Sequence, residues 1–168
     1  MSNIFIYSDG VSHKINYNIN PKVKYMAYIP GLTGIRYVGY FNDDQNWFDT
    51  ATLHGDTNTL EIIDNFSSNN DNYTWEWNGY FKPSSSETYT FYTSSDDSSL
   101  LWIDDILVVN NGGLHGNSEQ SGTINLTANI YYPIKIQFGE NSGGDVITVN
   151  FSSNTISKTT DGNGYYFH

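Results

Sequence analysis

Apolar side chains recur at every second position through much of the chain. Tyr73, Trp75 and Trp77 alternate with polar partners, and Tyr89, Phe91 and Thr93 do the same. A period of two is that of a strand with one buried face. The aromatic stripe of Tyr73, Trp75 and Trp77 is expected to serve the core rather than a ligand. Two unbroken apolar runs, Leu100–Ile103 and Ile106–Val109, flank Asp104-Asp105 and predict a hairpin with a two-residue turn, in which aspartate is tolerated. Further strands are expected over residues 34–41, with Tyr37, Val38 and Tyr40 as their apolar load, over 131–138 and over 146–151. A short apolar element is expected at Leu60–Ile63.

Polar stretches separate these strands. Residues 42–60 read as a long polar connection, residues 67–71 as a loop, and Ser94–Ser99 as a loop that breaks the apolar pattern completely. No stretch sustains a 3.6-residue period, and no internal repeat is visible. The chain is therefore expected to be all-β, an antiparallel β-sandwich over residues 32–168. Residues 1–31 form a separate N-terminal section with short strands at Ile4–Tyr7, Lys14–Asn18 and Val23–Ile29, serving as an extra sheet edge or as a docking arm.

Composition narrows the function classes. The 168 residues suit one domain with a real core, and 14 Tyr and 9 Phe favour strands. A formal net charge of −11 makes nucleic acid an improbable partner. The absence of cysteine excludes thiolate metal sites, thiol redox chemistry and disulfides. No apolar run reaches membrane-spanning length, so no membrane insertion is expected. The first ten residues lack the basic and apolar regions of a signal peptide, which leaves any export route open.

Three acidic pairs compete for attention. Asp43-Asp44 lies in the long polar connection and reads as a solvated turn. Asp104-Asp105 occupies the hairpin turn. Asp96-Asp97 is pinned in the Ser94–Ser99 loop between two buried strands. Adjacent carboxylates held there repel one another unless a cation or strong donors lie between them.

The ordered motifs Gly79-Tyr80-Phe81-Lys82-Pro83, Tyr89-Thr90-Phe91, Ser95-Asp96-Asp97, Leu101-Trp102-Ile103-Asp104, Val108-Val109-Asn110-Asn111 and His115 carry a family likeness. So do Gly122–Leu126, Tyr131–Ile136 and Gly143-Gly144. Together, over residues 34–153, they resemble the protective-antigen (PA-fourteen) domain, a β-sandwich of toxins, glycosidase accessory modules and adhesins. Its lectin branch, that of yeast flocculins and epithelial adhesins, implies more. There the Asp96-Asp97 pair would be joined by a cis peptide and would bind calcium.

Calcium takes six to eight oxygens, so the resemblance places further ligands in residues 139–145. Asn141 is the expected side-chain ligand, with backbone carbonyls near Gly143 and Asp145; Glu140 and Asp145 are alternatives, because register slips easily through glycines. The tryptophan that adhesins often carry in this loop is missing here, and Gly143-Gly144 also reads as a plain hairpin turn. A calcium held at a loop tip would leave positions for two vicinal sugar hydroxyls. His115, Asn117 and Trp47 are candidates for direct sugar contacts. His115 also reads as a structural hydrogen-bonding residue, and Trp47 as a cover for the core.

The resemblance thus implies a calcium-dependent lectin or adhesin module, extracellular, at a cell surface or on a virion, whose partners are glycans and which is displayed in multiple copies or as part of a larger assembly. A structural or assembly module in which calcium only stabilises the fold is the other reading. Catalysis is not expected. Adjacent aspartates do not divide into acid and base as a glycosidase requires, and residues 112–116 lack the Lys-Ser/Thr ending of a phosphate loop. Asn65, Asn72, Asn125 and Asn150 open Asn-x-Ser/Thr sequons, which carry little weight in a chain this rich in those residues.

Overall fold

A computed structural model describes residues 27–168 and, before them, the backbone of two strands, β1 (Ile4–Ser8) and β2 (Val11–Ile15). These two pair only with each other among the described residues, in an antiparallel register from Ile4 opposite Ile15 to Ser8 opposite Val11. The second strand thus begins at Val11 rather than Lys14. Most of the strand expected at Val23–Ile29 lies outside the described residues, and Ala27–Ile29 is not a strand.

Ten strands build the sandwich. They are β3 (Leu32–Val38), β4 (Thr52–Leu60), β5 (Tyr73–Phe81), β6 (Glu87–Asp96), β7 (Ser98–Ile103), β8 (Ile106–Asn111), β9 (Ser118–Leu126), β10 (Tyr132–Glu140), β11 (Val146–Ser153) and β12 (Tyr166–Phe167). One sheet runs β4-β3-β5-β10-β7-β8, with β12 continuing the β3 edge of β5, and the other runs β11-β6-β9. Every pairing is antiparallel. No helix of the described residues is long and apolar enough to cross a membrane.

The period-two pattern decides which faces meet. Tyr73, Trp75 and Trp77 of β5 point inward and are buried, as the alternation predicts. Ile134, Ile136 and Phe138 of β10 join them, opposed by Tyr89 and Phe91 of β6 and by Ile147, Val149 and Phe151 of β11. Phe81 sits at the centre of the aromatic packing, 5.0–5.4 Å from the rings of Tyr89, Phe91 and Phe151. Such edge-on pairs each add about 0.5–1.5 kcal/mol beyond area burial. The C-terminal residues belong to this body too: Tyr166 is buried, and His168 exchanges backbone hydrogen bonds with Ile29.

Gly122 marks where β8 crosses β9. A Cβ there would collide with the carbonyl oxygen of Val108.

Three expectations need correction. Residues 42–60 are not simply a connection. They hold a 3-10 turn at Gln45–Asp49 and the whole of β4, whose side chains are largely exposed. An edge strand held by its ladder to β3 needs no apolar alternation, so the pattern hid it. Of the first strand's expected apolar load, Val38 is exposed, and Leu32, just upstream, is buried instead.

Ser94–Ser99 is not a loop either: β6 runs to Asp96 and β7 resumes at Ser98. Ser95, Ser98 and Ser99 are fully buried. Their hydroxyls satisfy one another and their neighbours, with Ser95 and Ser99 Oγ at 2.7 Å and Ser99 donating to Thr93 Oγ1 at 2.8 Å. The Asn111 amide donates to Ser95 Oγ at 3.1 Å and to the Ser118 carbonyl at 3.0 Å. Small hydroxyls that pair internally continue a buried strand as well as aliphatic groups do. The Asp104-Asp105 turn is as expected, both residues having positive φ, at 51° and 62°.

Candidate metal centre

At one end of the sandwich, three segments converge: the β6–β7 junction, the Asn111–Ser118 loop and the β10–β11 loop. Asp96 and Asp97 form the junction and are joined by a cis peptide bond. Asp97 is buried, and each of its oxygens accepts one backbone N–H. Oδ1 takes that of His115 and Oδ2 that of Asn141, both at 3.0 Å. One carboxylate therefore ties both loops to the strand junction.

Glu140 completes the cluster. A carboxylate oxygen from each of Asp96, Asp97 and Glu140 lies within 4.8 Å of the others. Glu140 is fully buried, and neither of its oxygens has a hydrogen-bond partner. Burial, then the charges of Asp97, Asp96 and Asp145, push its pKa up to about 7, against the weaker pull of the nearby Asp97 backbone N–H, which falls short of hydrogen-bond geometry. Asp96 is raised too, by burial and then by Asp97, against the opposing pull of His115 and the Asn117 backbone N–H.

No lysine or arginine among the described residues lies against this charge. Arg36 pairs with Asp56 and Lys158 with Glu119, while Lys82 and Lys135 lie over the rings of Tyr131 and Trp102. A buried carboxylate without a donor is costly when ionised. A hard divalent cation with oxygen ligands suits such a set. The orphaned oxygens of Glu140 thus fit a metal ion held among Asp96, Asp97 and Glu140.

The other predicted residues divide. Asn141 is exposed beside the cluster; its N–H holds Asp97 and its carbonyl accepts from Asn72 N at 3.1 Å, leaving the side chain free of hydrogen bonds to the described residues. Asp145 is engaged elsewhere. Its carboxylate accepts from Ser67 Oγ, Ser68 N, Asn69 N and Tyr73 Oη at 2.7–2.8 Å, bracing the 67–71 loop. Burial opposes its ionisation, but these donors outweigh burial and hold its pKa below the usual range. Its side chain is thus a brace rather than a free donor. Gly143 donates its N–H to Asp71 Oδ1, and Gly144 lies so close to the Asp96 carboxylate that a Cβ there would sit 3.0 Å from Oδ2.

Both ring nitrogens of His115 are engaged by hydrogen bonds. Its Nε2 faces the Asn111 carbonyl at 3.1 Å, and its Nδ1 faces the Gly116 carbonyl at 3.1 Å and Ser118 Oγ at 3.2 Å. Asn117 is exposed and accepts from Ser94 Oγ at 2.7 Å. Trp47 packs edge-on against Tyr37 and Phe48, over the outer sheet face where Phe41 is buried. It thus packs on an outer aromatic cluster and not on the core.

Asp43 is more than a solvated turn. It accepts from Ser98 Oγ and, at 2.7 Å, from Gly113 N, and so clamps the Asn111–Ser118 loop to the start of β7. Its adjacency to Phe41 and a turn carried no signal of this role. Glu140 did carry one: it follows Ile134, Ile136 and Phe138 at period two, so the pattern that buries them also turns a carboxylate inward.

A family model described as "PA14 domain" matches residues 29–165. The chain belongs to the PA14 domain family. The PA14 domain is 40% identical over 68 residues to Anti-sigma-I factor RsgI3 of Acetivibrio thermocellus, covering 40% of this chain and 11% of that protein. It is 31% identical over 107 residues to Protective antigen of Bacillus anthracis, covering 60% of this chain and 13% of that protein. The chain thus matches only a small part of each relative's length. Among solved structures, it superposes with a TM-score of 0.71 on the Epithelial Adhesin 6 A domain of Candida glabrata, solved in complex with Galb1-3GlcNAc. That match covers 86% of this chain and 89% of the adhesin domain at 16% identity.

Proposed function

We propose that this PA14 domain is a calcium-dependent glycan-binding module. One observation carries the reading: the buried, unpartnered carboxylate of Glu140 beside Asp96 and Asp97, with no described lysine or arginine to neutralise them. Calcium would be held by these three carboxylates, with oxygens of the exposed Asn141–Gly144 stretch closing part of the shell. Coordination positions left toward solvent would take two vicinal hydroxyls of a sugar. Asp97 then acts mainly as an organiser, because its oxygens already hold the N–H groups of His115 and Asn141. The likeness to a sugar-complexed adhesin supports the glycan side of the reading.

A single sugar exchanges water for hydroxyl over a small contact, so its affinity is on the order of millimolar. Display in many copies at a surface would supply avidity. A multivalent form on a glycan array, with calcium and then with a chelator, tests the proposal. Calcium-dependent signal on glycans that share one vicinal-diol stereochemistry is expected. A blank array with calcium binding intact would leave the second reading, in which the ion only stabilises the fold. The double engagement of Asp97 favours that second reading, since an ion there would tie down three segments even without a sugar.

A further inference from the structure

We propose that the outer face of the seven-stranded sheet carries a second carbohydrate site, independent of the acidic cluster, which binds a linear neutral oligosaccharide across Trp102. The strand period turns Tyr80 and Asn78 of β5, Lys135 of β10, Trp102 of β7 and Leu107 of β8 away from the core. Two clefts result, and Trp102 lines both. One, of about 410 Å³, opens toward Asn78, Tyr80 and Lys135. The other, of about 490 Å³, opens toward Gln45, Leu107 and Asn110. Trp102 is the residue common to both linings.

The groups around the indole are held in place. Asn78 donates to Glu76 at 2.8 Å, Gln137 to the other oxygen of Glu76 at 2.6 Å, and Gln45 to Gln137 at 2.8 Å. Lys135 reaches Gln45 at 3.4 Å, and its ammonium lies 4.2 Å from the centre of the Trp102 ring. A cation–π contact at a partly exposed site is weak. It orients the indole but yields readily to a better occupant.

The lining chemistry selects that occupant. An indole face accepts the apolar C–H face of a pyranose, and side-chain amides on either side bond its hydroxyls. A peptide is a poor match: the backbone under the cleft is already paired along both neighbouring strands, so a peptide's own amides would meet only side chains. A polyanion is disfavoured by the net charge of −11 and by Glu76, Asp105 and Asp43 around the cleft, against Lys135 and His168. From β5 to β8 the face spans about 14 Å at the usual strand spacing, room for roughly three sugar rings.

The test is an NMR titration of the intact chain in excess chelator, which removes calcium from the acidic cluster. Cellohexaose, xylohexaose, mannohexaose and maltohexaose serve as probes. At least one should shift the indole N–H of Trp102 and the side-chain amides of Asn78 and Asn110, with affinity rising from disaccharide to trisaccharide. Trp102→Ala should weaken binding by about tenfold or more, whereas Gln120→Ala, exposed on β9 of the other sheet, should leave it unchanged. Should Trp102→Ala fold poorly, Asn78→Ala and Asn110→Ala, both surface changes, should each weaken binding measurably. The proposal is overturned if no probe shifts these signals, if the shifts fall on Asp96 and Asn141 instead, or if binding survives all three cleft substitutions.

Discussion

A carboxylate oxygen of Glu140 lies within 4.8 Å of one on Asp97, yet the two acids live in opposite hydrogen-bonding environments. Asp97 accepts a backbone N–H at each oxygen, and Glu140 accepts none. Two carboxylates that share a desolvated site thus differ in the donors they are given. The pair is poised for an ion that supplies what Glu140 lacks.

Calcium should bind a single site and stabilise the native chain. At one hundred times Kd, mass action contributes about 2.7 kcal/mol, which for a chain of this size corresponds to a rise in Tm of roughly 5–10 °C. Calorimetry with millimolar calcium and then with a chelator measures it. An unchanged Tm, together with no heat of binding, would reject the metal assignment.

Acidification should stabilise the calcium-free protein. Glu140 has a folded pKa of about 7, raised by burial and by Asp97, above the ordinary glutamate value of 4.5. Between these values the folded state holds a proton that the unfolded state has released, so stability falls as pH rises through the window. Denaturant unfolding in chelator at pH 5.5 and pH 8 should show this, and Glu140→Gln should flatten the slope. The same substitution should weaken calcium binding. A slope identical in wild type and Glu140→Gln would place the effect elsewhere.

The acidic pairs should separate cleanly. Asp97→Ala should abolish calcium binding and loosen both flanking loops, while Asp105→Ala, at the far hairpin turn, should leave binding intact. Asp43→Ala falls between them: it strands Ser98 and the Gly113 N–H, at about 1–3 kcal/mol of stability, and should weaken binding only through the loosened loop. Calorimetry of the three variants checks the order. Equal losses would point to diffuse charge instead of a site.

Gly122→Ala should be among the most damaging single changes. Its Cβ would meet backbone, the Val108 carbonyl, which cannot swing aside as a flexible side chain would. A loss above about 4 kcal/mol or failure to fold is expected, read by chemical denaturation beside Gly113→Ala. The Gly113 Cβ meets nothing within 4 Å, but its φ of +96° strains any other residue, so a smaller loss is expected there.

The period-two alternation by itself determined the all-β class, the inward stripe of Tyr73, Trp75 and Trp77, and the Asp104-Asp105 hairpin, because each depends on neighbours in the chain. The same alternation, followed one step past Phe138, turns Glu140 toward the core. Tertiary structure alone decided the rest. Edge strand β4 is held by ladder hydrogen bonds to β3, which leave no apolar trace, and the buried serines around Asp96-Asp97 look like a loop until Thr93 and Asn111 are brought against them. Asp145 and Asp43 read as loop acids, and their roles as braces come from Ser67, Tyr73, Ser98 and Gly113, up to 78 residues away. A carboxylate's identity is written locally. Whether it meets a donor, another carboxylate or nothing is fixed only when distant segments pack, and that decides whether it braces a loop or awaits an ion.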